Sequence, residues 1–249
     1  MATQFIGSII GLRPEYRDRY VILHRNAFPA VLERIARSNI RNYSIFLAGD
    51  VLFSHLEYVG SDYAVDMAAI AADPRTREWW QLTDPMQLPF AGRPEGEWWM
   101  PLRSVYEVAA AGDENAPVLR RAFTLPAAAL NRGGPSEPAF SERVVFPAAV
   151  RRLRLFAAPD AAYAYFEVTA SAEADAVLAQ ISVALGLERP PLPMTEVFHT
   201  DDSAPAVRPD EPPAFLEAAA RLVATPVALG RPVAEHRRHA ELRARVGEE

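Results

Sequence analysis

Of the five histidines, His24, His55, His199, His236 and His239, one stands among residues that suit proton chemistry. His24 follows Tyr20 by four positions in a segment with helical patterning, so imidazole and phenol share one face of a turn. In the same half of the chain Tyr43 opens a strand candidate and Trp79-Trp80 closes a second helix candidate. Two phenols, an indole pair and one imidazole suit a neutral polyhydroxylated ligand, because aromatic faces pack on sugar C–H surfaces and phenol hydroxyls satisfy sugar hydroxyls. A plainer reading stands beside this one. A lone helical histidine is by itself better explained by packing, and the pairs Trp79-Trp80 and Trp98-Trp99 by core or interface contacts. Neighbours on a helix cannot both face inward, so at least one tryptophan of each pair packs.

The remaining chemistry-bearing residues converge on nothing. His236 and His239 lie three apart on a charged segment without a third ligand, which reads as a solvated face and not a metal site. His55 alternates with Phe53 and Glu57 along a strand, and His199 lies on the last strand of the second half; both read as structural. There is no HExxH, no Gly-rich phosphate loop and no GxSxG. Gly133-Gly134 is a turn, Arg151-Arg152-Leu153-Arg154 a strand with outward charges, and Asp201-Asp202 lacks convergent partners.

Composition excludes further classes. The 249 residues include 26 basic ones, every one arginine, and no cysteine. Schiff-base chemistry, a P-loop lysine, thiol mechanisms, disulfides and thiolate metal sites are thereby ruled out. The net charge is -6, and the arginine-only, alanine-rich and proline-rich bias reads as genome composition; no nucleic-acid partner is expected. Met1 to Leu12 carries no basic leader, and no run approaches the roughly 18 apolar residues of a membrane helix. The expectation is a cytoplasmic protein without a membrane partner.

The elements that must position these residues come from an internal repeat. Ile45-Phe46-Leu47-Ala48-Gly49-Asp50, followed by Val51 to Val59, matches Leu155-Phe156-Ala157-Ala158-Pro159-Asp160, followed by Ala161 to Thr169. Asp50 aligns with Asp160 and Glu57 with Glu167, each pair 110 residues apart. Each copy reads as a hairpin around a tight turn. Gln4 to Leu12 and Leu119 to Leu125 are strand candidates ahead of the two hairpins. A helix over Asp62 to Ala72 and Thr76 to Thr83, interrupted near Asp73-Pro74, corresponds to Ala172 to Leu187, and closing strands follow at Arg103 to Ala110 and Thr195 to Thr200. Pro14 to Ser38 reads as an amphipathic helix that Pro29 kinks or splits. Its counterpart, Asn131 to Pro138, cannot be a regular helix, and only Ser141 to Val150 could be helical there.

Each half thus has the order strand, helix, strand, strand, helix, strand of a ferredoxin-like unit, an α+β class. One such unit leaves a sheet face bare, so the two halves are expected to pack sheet to sheet as an intramolecular pseudo-dimer. The expected domains are residues 1–112, a degenerate second repeat at 113–202, and a Pro-rich linker with C-terminal helices at 203–249.

With these elements in place, the first half resembles the L-rhamnose mutarotase family. The resemblance rests on Tyr20-Val21-Ile22-Leu23-His24, Phe28-Pro29-Ala30-Val31-Leu32, Asn42-Tyr43-Ser44-Ile45-Phe46-Leu47, Leu52-Phe53 with Glu57, and Trp79-Trp80 followed by Thr83-Asp84-Pro85. It covers most of residues 4–110, in order. The resemblance implies a dimeric α+β barrel that interconverts the α and β anomers of L-rhamnose without a cofactor. It further implies His24 as proton donor, with Tyr20, Tyr43, Trp79 and Trp80 against a small-molecule sugar. Mutarotation delivers a proton to the ring oxygen and removes one from the anomeric hydroxyl, which a group with a pKa of about 6.5 serves in both directions. The second proton carrier stays open between a tyrosine, Glu57 and water.

Two departures stand out. The Glu-Val-Phe-His strand that usually closes the family's unit occurs as Glu196-Val197-Phe198-His199 in the second half, whereas the first half has Ser104-Val105-Tyr106-Glu107. The second half also lacks counterparts of Tyr43, of the helical histidine and of the tryptophan pair. One pocket per chain and a monomer with an internal pseudo-dimer are therefore expected. The alternatives are a cofactor-free α+β barrel enzyme acting on an aromatic or polyketide-like metabolite, and a non-catalytic sugar-binding protein.

Overall fold

The structure is a computed structural model that describes residues 3–109, 117–127, 149–169, 174–184, 187 and 191–200. These divide into two compact units, and each is an antiparallel sheet combined with helices.

Among the described residues, the first unit holds 3–45, 49–101 and 197–200. Strand β1 (Gln4–Leu12) leads through a 3-10 turn at Pro14–Tyr16 into α1 (Arg17–Arg25), and α2 (Pro29–Arg37) follows. The single helix read over Pro14 to Ser38 is split, as Pro29 requires. Its ring disfavours helical backbone at Phe28, which is extended (φ -60°, ψ 128°), while a proline without an N–H suits the first turn of a new helix. Strands β2 (Ile40–Ala48) and β3 (Val51–Tyr58) form a hairpin whose turn places Gly49 at φ 54°, the left-handed region that glycine enters without strain.

The interruption read near Asp73-Pro74 is a helix junction. In α3 (Tyr63–Ala72) the Asp62 carboxylate accepts from the Val65 N–H, and in α4 (Pro74–Thr83) the Asp73 carboxylate accepts from the Thr76 N–H at 2.7 Å. Each such cap contributes about 1 kcal/mol. A 3-10 turn at Asp84–Met86 leads to two short strands, β4 (Gln87–Leu88) and β5 (Met100–Pro101). The sheet order is β4-β1-β3-β2, with β5 also on β1. Ile10 stands opposite Leu52 across β1 and β3, and both are fully buried. Leu12 of β1, Leu23 of α1 and Val31 and Ile35 of α2 add to the unit's apolar core.

The second unit contains 46–48 and the described residues of 102–196. Its elements are β6 (Arg103–Ala109), β7 (Val118–Pro126), β8 (Val150–Ala157), β9 (Ala161–Thr169), α5 (Ala174–Ala184) and most of β10 (Leu192–His199), with sheet order β10-β7-β9-β8-β6. Phe123, Leu125, Leu153, Leu155, Phe166 and Ile181 lie in one apolar cluster. Two expectations are corrected here. Val150, placed at the end of a possible helix, begins β8, and the rest of that segment lies outside the described residues, as does the tail from 203 onward. The basic run at 151–154 is a strand, but not one with all its charges outward. Leu153 and Leu155 face the apolar cluster, so alternation sends Arg154 to the opposite side of the sheet, where it is 2% exposed and faces Glu107 at 3.6 Å. A register shift between Val150 and Arg152 sets that phase.

Neither closing strand stays with its own sequence half. Strand β6 pairs with β8 in the second unit, while the end of β10 belongs to the first. There the Thr200 N–H donates to the Tyr43 carbonyl at 2.8 Å, and the Tyr43 N–H donates to the Thr200 hydroxyl at 3.1 Å. No helix among the described residues is long and apolar enough to cross a membrane.

Candidate active site

The first unit gathers the aromatic residues around His24. One turn of α1 separates Tyr20 from His24, and their rings stack with centroids 3.8 Å apart at 26°. The stacking leaves the edges of the imidazole to other elements. Trp79 of α4 meets it edge-on at 5.1 Å, and Phe198 at the end of β10 does so at 5.8 Å. Phe28, in the break between α1 and α2, packs edge-on against Trp79 at 5.2 Å, and Tyr43 of β2 against Phe198 at 5.4 Å. Tyr43 and Trp80 are half-buried, whereas Tyr20, His24 and Trp79 are buried. Four of the five residues read from the sequence thus fall into one ring cluster, and Trp80 adjoins it along α4. Each tryptophan pair has one buried member, Trp79 or Trp98, and one half-buried member.

Hydrogen bonding decides the form of His24. Its Nδ1 lies 3.0 Å from the Tyr20 carbonyl oxygen. A carbonyl only accepts, so Nδ1 carries the hydrogen, and in the neutral ring Nε2 is left with a lone pair. Burial lowers the imidazole pKa to about 4, against a weaker upward pull from the carbonyl. At neutral pH His24 is therefore an uncharged proton acceptor. The phenol of Tyr20 moves the other way: burial first, then the neighbouring Tyr43 and the negative charge of Asp84, hold it well above its ordinary value, so it keeps its proton. Adjacent groups whose pKa values are pushed in opposite directions are chemically able to serve as a base and an acid.

Three contributors were not picked out as site residues in the sequence. Gln87, on the two-residue β4, places its amide nitrogen 3.4 Å from the Tyr20 hydroxyl, and its amide oxygen accepts from the Trp98 indole N–H at 2.6 Å. Asp84, buried after α4, supplies the charge beside Tyr20. Phe198 comes from the Glu196–His199 strand that the sequence shows out of place in the second half; in the fold its end lies beside β2. That displaced motif was the one available signal. His199 Nδ1 lies 2.9 Å from Ser44 Oγ, and His55 is buried in β3.

The first unit, an α+β unit, thus brings together a buried neutral histidine, two phenols and an aromatic wall. A sequence model of the L-rhamnose mutarotase family matches residues 6–108. A UPF0734 protein of Dictyostelium discoideum is 30% identical over 99 residues, which span 38% of this chain and 79% of that protein. Residues 6–108 thereby fall in the L-rhamnose mutarotase family, a family of sugar isomerases.

Proposed function

We propose that the first half of the chain interconverts the α and β anomers of L-rhamnose or a related sugar by acid–base ring opening, with His24 moving the anomeric proton. The observation that carries this reading is the fixed tautomer of His24, whose Nε2 is a ready acceptor in a wall of aromatic faces. Nε2 takes the proton of the C1 hydroxyl while the C1–O5 bond breaks. The electron pair passes to O5, which gains a proton from an acid on its own side, and C1 becomes an aldehyde. After rotation about C1–C2, the O5 hydroxyl adds to the other face of C1 and releases its proton, and the imidazolium returns its own to O1. His24 thus accepts in opening and donates in closing, which accommodates the proton-donor role implied by the resemblance. Tyr20, Tyr43, Trp79 and Trp80 contact the sugar.

The same reading gives one pocket per chain. The second half is a degenerate repeat that keeps the strands without the site, so the chain is a monomer in solution; sedimentation at twice 27.5 kDa would contradict this part. The activity is tested by magnetisation transfer between the anomeric protons of L-rhamnose. Wild type is expected to accelerate exchange and His24→Ala to lose about 10²- to 10⁴-fold of it, the usual share of one acid–base group. No acceleration by wild type across L-rhamnose and related sugars rejects the mutarotase reading. Sugar binding without exchange would point instead to a binding protein.

A further inference from the structure

Trp98, Gln87 and Tyr20 form a buried row of polar groups, and the direction of its hydrogen bonds follows from their chemistry. An indole N–H only donates. The Gln87 atom 2.6 Å from Trp98 Nε1 is therefore the amide oxygen, and the amide nitrogen faces the Tyr20 hydroxyl. An amide N–H cannot accept, so the Tyr20 oxygen is the acceptor at this contact, and its own hydrogen must point elsewhere. The three side chains are buried, with Tyr20 at 0% exposure, so water does not scramble the pattern. The amide–phenol distance of 3.4 Å is long for a resting hydrogen bond; such contacts tighten as charge develops on the acceptor.

The same amide has an electrostatic role. Burial, Tyr43 and Asp84 all oppose a negative charge on Tyr20, and the Gln87 amide works against them. Its position is set by the pairing of β4 with β1, Leu12 standing opposite Gln87 and Gly11 opposite Leu88.

We propose that Gln87 is a positioning residue which, anchored by Trp98, makes Tyr20 the proton donor to the sugar ring oxygen in ring opening and steadies the phenolate left behind. This rests on the mutarotase reading and supplies its acid. In the opening step the Tyr20 proton goes to O5 as the C1–O5 electron pair arrives there. On closure the phenolate takes that proton back from the O5 hydroxyl while His24 returns its own to O1, so both groups finish as they began.

The test is a double-mutant cycle read by anomer exchange of L-rhamnose. Gln87→Met keeps length and burial and removes the donor; it is expected to lower kcat roughly tenfold, with KM within about twofold, as loss of one hydrogen bond to a developing charge does. In a Tyr20→Phe background the same substitution should cost nothing further, because Gln87 acts through Tyr20. Trp98→Phe leaves the amide in place but frees its direction, and should give a smaller loss confined to kcat; it carries the test if Gln87→Met does not fold. Wild-type kcat in either variant, or an equal loss with and without Tyr20, overturns the proposal while leaving the mutarotase reading intact. An inactive wild type removes both together.

Discussion

Acid should weaken this fold through His24 by an amount that can be worked out in advance. The imidazole is 6% exposed, its Nδ1 hydrogen is committed to the Tyr20 carbonyl, and its pKa is lowered by burial to about 4 from the ordinary 6.5. In the unfolded chain the ring gains a proton as pH falls through the ordinary value, while the native ring stays neutral until about 4. Between those two points the unfolded state binds more protons, so stability falls as pH falls; above the window His24 has no effect, and below it the loss is complete. At about 1.4 kcal/mol per pH unit, the loss between about pH 7.5 and about pH 4.5 is roughly 2.5 kcal/mol. Other titrating groups contribute too, and His24→Gln isolates this one because the side chain cannot ionise. Urea unfolding of both proteins at the two pH values, followed by the fluorescence of the four tryptophans, measures the difference. His24→Gln should be the less stable protein near neutrality, having lost an aromatic stack worth about 1 kcal/mol. That gap should close or reverse in acid. Stability curves that run parallel to within about 0.5 kcal/mol would show that His24 titrates alike in both states and would refute the neutral-base assignment.

Three further outcomes follow from the same geometry. Because the base must be unprotonated to act, kcat/KM for anomer exchange should stay level below neutrality and decline with a midpoint of about 4; a midpoint near 6.5 would count against it. In Gly11→Ala the new Cβ would lie 2.7 Å from the Leu88 carbonyl oxygen, so β4 must shift and carry Gln87 with it. The expected loss is about 1–3 kcal/mol by urea unfolding, together with a lower kcat. Phe198→Ala should cost roughly 3 kcal/mol and admit water to the edge of His24, moving the acid midpoint of kcat/KM upward.

The site depends on local structure placed by distant chain. Tyr20 and His24 are positioned by four residues of α1, and Arg17 of that helix donates to the Gly49 carbonyl at 2.9 Å and pairs with Asp50 at 2.6 Å, tying the helix to the hairpin turn. These surface contacts contribute little energy. Burial then acts on both groups of that one turn, lowering the pKa of the His24 imidazole and raising that of the Tyr20 phenol, so that both rest uncharged at neutral pH.

What the sequence determined by itself is what local rules govern. Helical spacing joins Tyr20 to His24, Pro29 and Asp73-Pro74 divide the helices, Gly49-Asp50 turns the hairpin, and the order of these motifs marks the family. All of this rests on neighbours a few residues apart, where sterics and periodicity act directly on the chain. Tertiary structure alone decided the rest. Gln87 reaches Tyr20 across 67 residues, and Ser44 meets His199 across 155. Phe198, from the far end of the described chain, meets the His24 ring because the end of β10 lies beside β2. Even the resting protonation of His24 needed the fold, since an imidazole acquires a pKa of about 4 only when packing removes the water that would stabilise its cation.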